Sequence, residues 1–201
     1  MRRHAEGLFR PVLSRELLCK TGQGEQLSQT RAIEVNAEVP HSADGRCCIE
    51  RYFLELVERF DTGFDPIQSN PAADEDPISP GGFFVVARLD GRPVGCGALK
   101  RKGPTTGEIK RMWTAPSARR CGVARKILHA LEAIARESGM TTLHLETNRT
   151  LAEAQALYRT EGYLEVDAFD DEPYAHHWFE KHLPSGCGQT SSHAVDRAAN
   201  R

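Results

Sequence analysis

Residues 119–125 (RRCGVAR) bring together the residue types that hold a pyrophosphate. Gly122 lets a ligand approach the backbone closely. Cys121 and Ala124 keep the surface low, and Arg119, Arg120 and Arg125 supply counter-charge. A helix expected to begin after Gly122 adds its first-turn amides, which lack internal partners and carry the positive end of the helix dipole. A strand–loop–helix of this kind suits an anion. The plainer reading of the same residues is a basic loop with one glycine. The pattern is neither the three-glycine dinucleotide fingerprint nor a Walker loop, which needs Gly-Lys-Ser/Thr.

Other reactive residues carry less. His176 and His177 are adjacent, so on a strand they point to opposite faces, and no carboxylate or cysteine stands at ligand spacing. No metal is expected there, although one of the two, with Tyr174, is a candidate for an acceptor pocket. Trp178 and Phe179 read as core. Cys19, Cys47, Cys48, Cys96, Cys121 and Cys187 form no CxxC pair and read as reduced thiols. Lys110 and Arg111 read as a charged face or as contacts to a substrate.

These groups need a frame. Residues 83–89 (FFVVARL) read as a strand, Asp90-Gly91 as a two-residue hairpin turn, and 93–99 (PVGCGAL) as the returning strand, whose start suits Pro93. A second turn at 103–107 leads to a third strand at 108–114 (EIKRMWT), which completes an antiparallel meander. Val123, Ile127, Leu128, Leu131 and Ile134 form the apolar stripe of a helix that stops near Gly139. Residues 142–146 (TLHLE) are strand-like again. Thr150 and Glu153 read as a capping box for a helix carrying Ala154, Leu157 and Tyr158, which Gly162 ends. Residues 163–166 and 175–181 are the last strands. Upstream, residues 31–36 alternate as a first strand, and Ile49, Tyr52, Phe53, Leu56, Val57 and Phe60 share a helical face. Residues 61–80 read as a long loop whose Asp65, Asp74, Glu75 and Asp76 suit a lid that attracts a cation, the alternative being a disordered acidic loop. Residues 13–18 suit a short helix.

The fold class expected is α+β: a mixed, mostly antiparallel central sheet of about six to seven strands flanked by about four helices, with a right-handed β-α-β crossover after the meander. The chain has 201 residues, 39% of them hydrophobic and 27% charged, which fits one globular domain with polar ends. Its net charge of −2 and small arginine cluster give no field for nucleic acid. Neither a membrane span nor a secretory signal is read, so the expected location is cytoplasmic.

Residues 108–166 resemble the core of the GNAT superfamily of acyl-CoA N-acetyltransferases. EIKRMWTAP (108–116) is similar to the family's central strand, which ends in a bulge. RRCGVAR is similar to its Q/R-x-x-G-x-G/A pyrophosphate loop, and AEAQALYRTEGY (152–163) to its A-x-x-L-Y-x-x-x-G-[FY] helix. The order and spacing of the three agree over about 60 residues, and the preceding hairpin extends the match to about 100. EPYAHHWFEK, near the C-terminus, resembles small members that act on small molecules.

The resemblance implies acetyl-CoA as co-substrate, with no metal. It places Met112, Trp113 and Thr114 against the pantetheine amides, and Arg119, Arg120, Cys121, Gly122, Val123, Ala124 and Arg125 around the pyrophosphate. Tyr158 matches the tyrosine that members place near the thioester sulfur. Glu108 stands at the spacing where several keep a glutamate base; its other reading is a solvated strand residue. Where many members have an asparagine seven residues before the tyrosine, this chain has Leu151, and Asn148 is the candidate substitute for the pantetheine contact. The roles have physical reasons. A carboxylate takes the proton of an acceptor ammonium, backbone amides stabilise the oxyanion, and a phenol protonates the leaving thiolate. Transfer is expected to be direct, in a ternary complex, because Cys121 lies at the pyrophosphate end.

The resulting domain plan is a flexible extension (1–30), an N-acetyltransferase domain (31–184) and a disordered tail (185–201). The function expected is acetyl transfer to a primary amine of a small molecule. A protein or peptide acetyltransferase and a non-catalytic acyl-CoA sensor are the alternatives, and a homodimer is the assembly considered.

Overall fold

The computed structural model describes residues 32–65 and 82–184. The expectations for residues 1–30, for residues 185–201 and for most of the acidic loop, including Asp74, Glu75 and Asp76, lie outside the described residues.

The elements run β1 (Ile33–Ala37), α1 (Ala43–Arg59), β2 (Phe83–Leu89), β3 (Arg92–Arg101), β4 (Thr106–Thr114), a 3-10 turn (Pro116–Ala118), α2 (Val123–Glu137), β5 (Thr142–Thr147), α3 (Ala152–Thr160), β6 (Leu164–Val166) and β7 (His177–His182). They form a seven-stranded sheet in the order β1-β2-β3-β4-β5-β7-β6. Only β4 and β5 pair in parallel; every other neighbour is antiparallel. This is the expected α+β architecture, with three α-helices among the described residues. Among them no helix is long and apolar enough to cross a membrane.

The Asp90-Gly91 turn has φ of 51° and 74°, the positive pair that a two-residue hairpin matched to strand twist requires. α2 buries Val123, Ile127, Leu128 and Leu131 against the sheet. It sits low because β3 carries Gly97: a Cβ there would lie 2.7 Å from Ile127 Cγ2 and 2.9 Å from Leu131 Cδ1. At ~1.5–3 kcal/mol per buried aliphatic side chain, this seam is a principal source of stability. α1 starts at Ser42, whose Oγ accepts the Gly45 amide at 3.0 Å. Its inner face holds Cys48 and Leu56, with Phe60 just past its end, but Val57 is 52% exposed, contrary to the expected stripe.

The expected capping box at α3 is not formed. Thr150 Oγ donates to Asn148 Oδ1 at 2.9 Å, and the Thr150 amide donates to the same oxygen at 2.9 Å. Glu153 pairs instead with Arg59 at the end of α1. An asparagine two residues upstream thus outcompetes the helix for the threonine hydroxyl.

Candidate active site

Two interruptions of the sheet create the site. The first is a bulge in β4: Cys96 pairs with Trp113 and Ala98 with Lys110, so Gly97 alone faces Arg111 and Met112. Arg111 takes φ of 55°, uncommon for a side chain of its size, and its carbonyl accepts the Cys96 thiol at 3.5 Å. The second is a parting of β4 from β5, whose register runs from Thr106↔Thr142 to Glu108↔His144 and goes no further.

A cavity fills the gap. One wall is Ile109, Lys110, Arg111 and Met112 of β4; the facing wall is Glu146, Thr147 and Asn148. Leu151, Ala154 and Tyr158 approach from α3. The rest is aromatic. Phe53, Phe60, Phe64 and Tyr174 pack on one another with ring centroids 4.9–6.1 Å apart. The Arg111 guanidinium lies 5.9 Å from the Phe53 ring centroid.

Beyond the bulge, β4 leads through the 3-10 turn to the loop before α2. Gly122 caps α2 with φ of 84°, Arg120 has φ of 60°, and no side chain caps this helix end. The amides of Val123, Ala124 and Arg125 therefore open outward with the helix dipole behind them. A Cβ on Gly122 would meet nothing within 4 Å among the described residues. Arg119 pairs with Glu55 of α1 and donates to the Thr114 carbonyl at 3.3 Å, while Arg125 pairs with Glu161. Cys121 is an exposed free thiol at this loop and no part of the cavity wall.

The expected residues are distributed unevenly over this geometry. Tyr158 is in the cavity wall and only 5% exposed, and burial, with smaller effects of Tyr52 and Glu146, pushes its phenol well above the usual range. Met112 lines the cavity. Trp113 is buried, and its Nε1 donates to Glu55 at 3.0 Å. The Thr114 hydroxyl is buried and accepts or donates no hydrogen bond among the described residues. Asn148 lines the cavity, but its amide is engaged within the fold: Nδ2 donates to the Tyr174 carbonyl at 2.8 Å and Oδ1 accepts from Thr150. Tyr174 joins the wall as expected; His176 and His177 do not, being turned to Arg149 and Glu165.

Glu108 lies on the same face of β4 as Lys110, two residues before it. It is fully buried, its Oε1 lies 3.3 Å from Lys110 Nζ and its Oε2 3.1 Å from Lys102 Nζ, and it is absent from the cavity wall. The carboxylate in the wall is Glu146, whose Oε1 accepts from Lys110 at 2.8 Å. Burial raises Glu146 to about 7, Lys110 pulling down and Glu108 and Asp170 pushing up. Burial works against the Lys110 charge, but Glu146 and Glu108 outweigh it and hold that ammonium above its usual range. In the sequence Glu146 reads only as part of a strand, since nothing local in TLHLE separates a cavity carboxylate from a solvated one.

A sheet opened beside a bulged strand, next to an uncapped helix start on a glycine, is the framework of an acyl-CoA N-acyltransferase. The family model described as "Acetyltransferase (GNAT) family" matches residues 50–163, and the chain belongs to that family. It is thus an acyltransferase, of a family that uses acetyl-CoA or another acyl-CoA as donor. The chain is 36% identical over 119 residues to an IAA acetyltransferase of Azospirillum brasilense, covering 58% of this chain and 77% of that protein. Two solved structures share the fold. One is an acetyltransferase of the GNAT family from Staphylococcus aureus (TM-score 0.65, 17% identity, 76% of this chain and 99% of that one). The other is N-acetylglutamate synthase from Neisseria gonorrhoeae in complex with coenzyme A and L-arginine (TM-score 0.54, 18% identity, 76% of this chain and 33% of that one).

Proposed function

We propose that this protein moves an acetyl group from acetyl-CoA to the primary amine of a small molecule by direct attack in a ternary complex. The observation that carries the reading is the parting of β4 and β5 over a cavity lined by both Tyr158 and the carboxylate Glu146. The uncapped amides of Val123, Ala124 and Arg125, with Arg119, Arg120 and Cys121 beside Gly122, hold the pyrophosphate. Met112, Trp113 and Thr114 offer the edge of β4 to the pantetheine arm, with Asn148 facing them from the other wall. The acyl-CoA supplies the activated carbonyl carbon. Tyr158 donates a proton to the leaving thiolate, a role that suits a phenol kept protonated by burial. A carboxylate of the β4–β5 pair, Glu108 or Glu146, accepts the proton of the ammonium. Among the described residues no cysteine lines the cavity, which favours direct transfer over an acyl-enzyme.

The aromatic wall of Phe53, Phe60, Phe64 and Tyr174 favours a small acceptor with an apolar body over an extended peptide. Release of free thiol from acetyl-CoA is the test, run with panels of arylalkyl amines, polyamines, amino acids and peptides. Turnover on small amines with none on peptides supports the reading. Peptide turnover alone replaces it, and acetyl-CoA binding with no turnover on any panel points to a sensor.

A further inference from the structure

Acetyl transfer to an amine requires a group that removes a proton from the acceptor ammonium, and two carboxylates stand near the gap between β4 and β5. Their surroundings differ. Both Glu108 oxygens stand at ion-pair distance from lysines, Lys110 at 3.3 Å and Lys102 at 3.1 Å, and like Glu146 Oε2 they accept no hydrogen bond from the described residues, but Glu108 is not in the cavity wall. Glu146 is in the wall, and only its Oε1 is held, by Lys110. Its Oε2 accepts no hydrogen bond from the described residues. A buried acceptor left open on a cavity is satisfied when a donor such as an ammonium enters.

The titratable and charged groups around Glu146 come from several elements, while β7 sets Trp178 opposite it. Glu108, Lys110 and Arg111 belong to β4, Tyr52 to α1 and Tyr158 to α3, while Asp170 and Glu172 belong to the segment between β6 and β7. One ligand oxygen each from Glu108, Glu146 and Asp170 lies within 4.8 Å of the others. Lys110 bridges Glu108 and Glu146 in this group. Tyr52 of α1 and Tyr158 of α3 line the same cavity as Glu146.

We propose that Glu146 is the catalytic base, and that Lys110 and Glu108 beside it are positioning residues that fix its orientation and set its charge; the proposal rests on the N-acetyltransferase reading above. The ammonium R–NH3+ gives one proton to Glu146 Oε2, leaving R–NH2. The nitrogen lone pair forms the C–N bond to the thioester carbon, and the C–S bond breaks as the tetrahedral centre collapses. The thiolate takes a proton from Tyr158, which is restored by the second nitrogen proton. Glu146 then returns its proton to water, so amide, free thiol and one proton leave. A base is most effective when it titrates near the working pH, and burial brings Glu146 to about 7.

The test compares Glu146→Gln, Glu146→Asp and Glu108→Gln with the wild-type chain, using acetyl-CoA and the best amine of the panel. The expected loss in kcat for Glu146→Gln is about 10²-fold or more, with acetyl-CoA KM little changed and partial recovery in Glu146→Asp. The wild-type kcat is expected to rise to a plateau across pH 7, at the same pH for amines of different basicity. Glu108→Gln removes a charge that raises Glu146, so its acid limb moves to lower pH, and its loss in kcat is smaller than that of Glu146→Gln. An infrared titration supplies a readout independent of turnover: a carboxylic C=O band titrating near 7, lost in Glu146→Gln and shifted down in Glu108→Gln. The proposal is overturned if Glu146→Gln keeps the rate and the limb, if Glu108→Gln abolishes turnover while Glu146→Gln does not, or if the limb follows the amine's own pKa. Wild-type binding of acetyl-CoA with no turnover on any amine overturns the functional reading itself and the base role with it, whatever the infrared band shows.

Discussion

Lys110 Nζ and Glu146 Oε1 meet at 2.8 Å where the next rung of the β4–β5 ladder would have stood. The last backbone pair is Glu108↔His144, and two residues further along each strand a side-chain ion pair takes over from the backbone. Replacing Lys110 by methionine removes the cation that lowers Glu146. The acid limb of kcat should then move to higher pH. Because the change leaves two carboxylates facing each other, urea unfolding should show a loss of about 2–3 kcal/mol, toward the low end for one partner of a buried pair since Lys110 is 22% exposed.

The loop before α2 separates strain from ligand contact. Gly122 and Gly162 both have φ of 84°, and a Cβ on either meets nothing within 4 Å among the described residues. A side chain at either position should cost about 1–2 kcal/mol of stability. Only Gly122→Glu, which puts bulk and charge over the uncapped helix start, should lower acetyl-CoA affinity, by about 10²-fold or more in calorimetry. Equal affinity for Gly122→Glu and Gly162→Ala removes the pyrophosphate assignment.

Tyr158→Phe leaves the ring between Phe179 and Tyr163 and removes only the hydroxyl. Stability should change by less than about 1.5 kcal/mol, while kcat falls by about 10²-fold. Burial keeps this phenol well above its usual range, so the wild-type enzyme should show no alkaline limb from it below pH 10. A rate unchanged in the phenylalanine variant takes the proton donor elsewhere.

Glu146 also links stability to pH. Its carboxyl is raised from 4.5 to about 7 by folding, so between these values the folded chain holds a proton that the unfolded chain has released. Stability from this group is therefore full below about pH 4.5, falls as pH rises to about 7, and is flat above. Glu146→Gln lacks this loss. Relative to wild type it should gain stability from pH 5 to pH 8, by at most about 3 kcal/mol, while losing activity. A stability difference that does not move with pH contradicts the raised carboxyl.

The sequence is most legible where one residue type has one physical use. Asp90-Gly91 announces its hairpin, Gly122 its helix start, and the stripe from Val123 to Ile134 its buried face. Tyr158 is legible through helical spacing and family pattern together. Glu146 is not, because its place in the wall follows from where β4 and β5 part, a property of two strands that are remote in sequence. Glu108 illustrates the converse: its spacing from Arg119 puts it on the right strand, but it precedes the bulge at Arg111 and ends up beside Lys110 and out of the cavity wall. Thr150 and Glu153 have capping-box spacing, yet Asn148 and Arg59 take them, a competition visible only after α1 and α3 have been brought together.

The most direct test of the whole account is a calorimetric titration of the wild-type chain with acetyl-CoA, followed by thiol release from the same preparation on adding a small arylalkyl amine. One acetyl-CoA should bind per chain, and one thiol should be released per amide formed. Absence of acetyl-CoA binding by the folded chain would contradict the N-acetyltransferase reading at its centre.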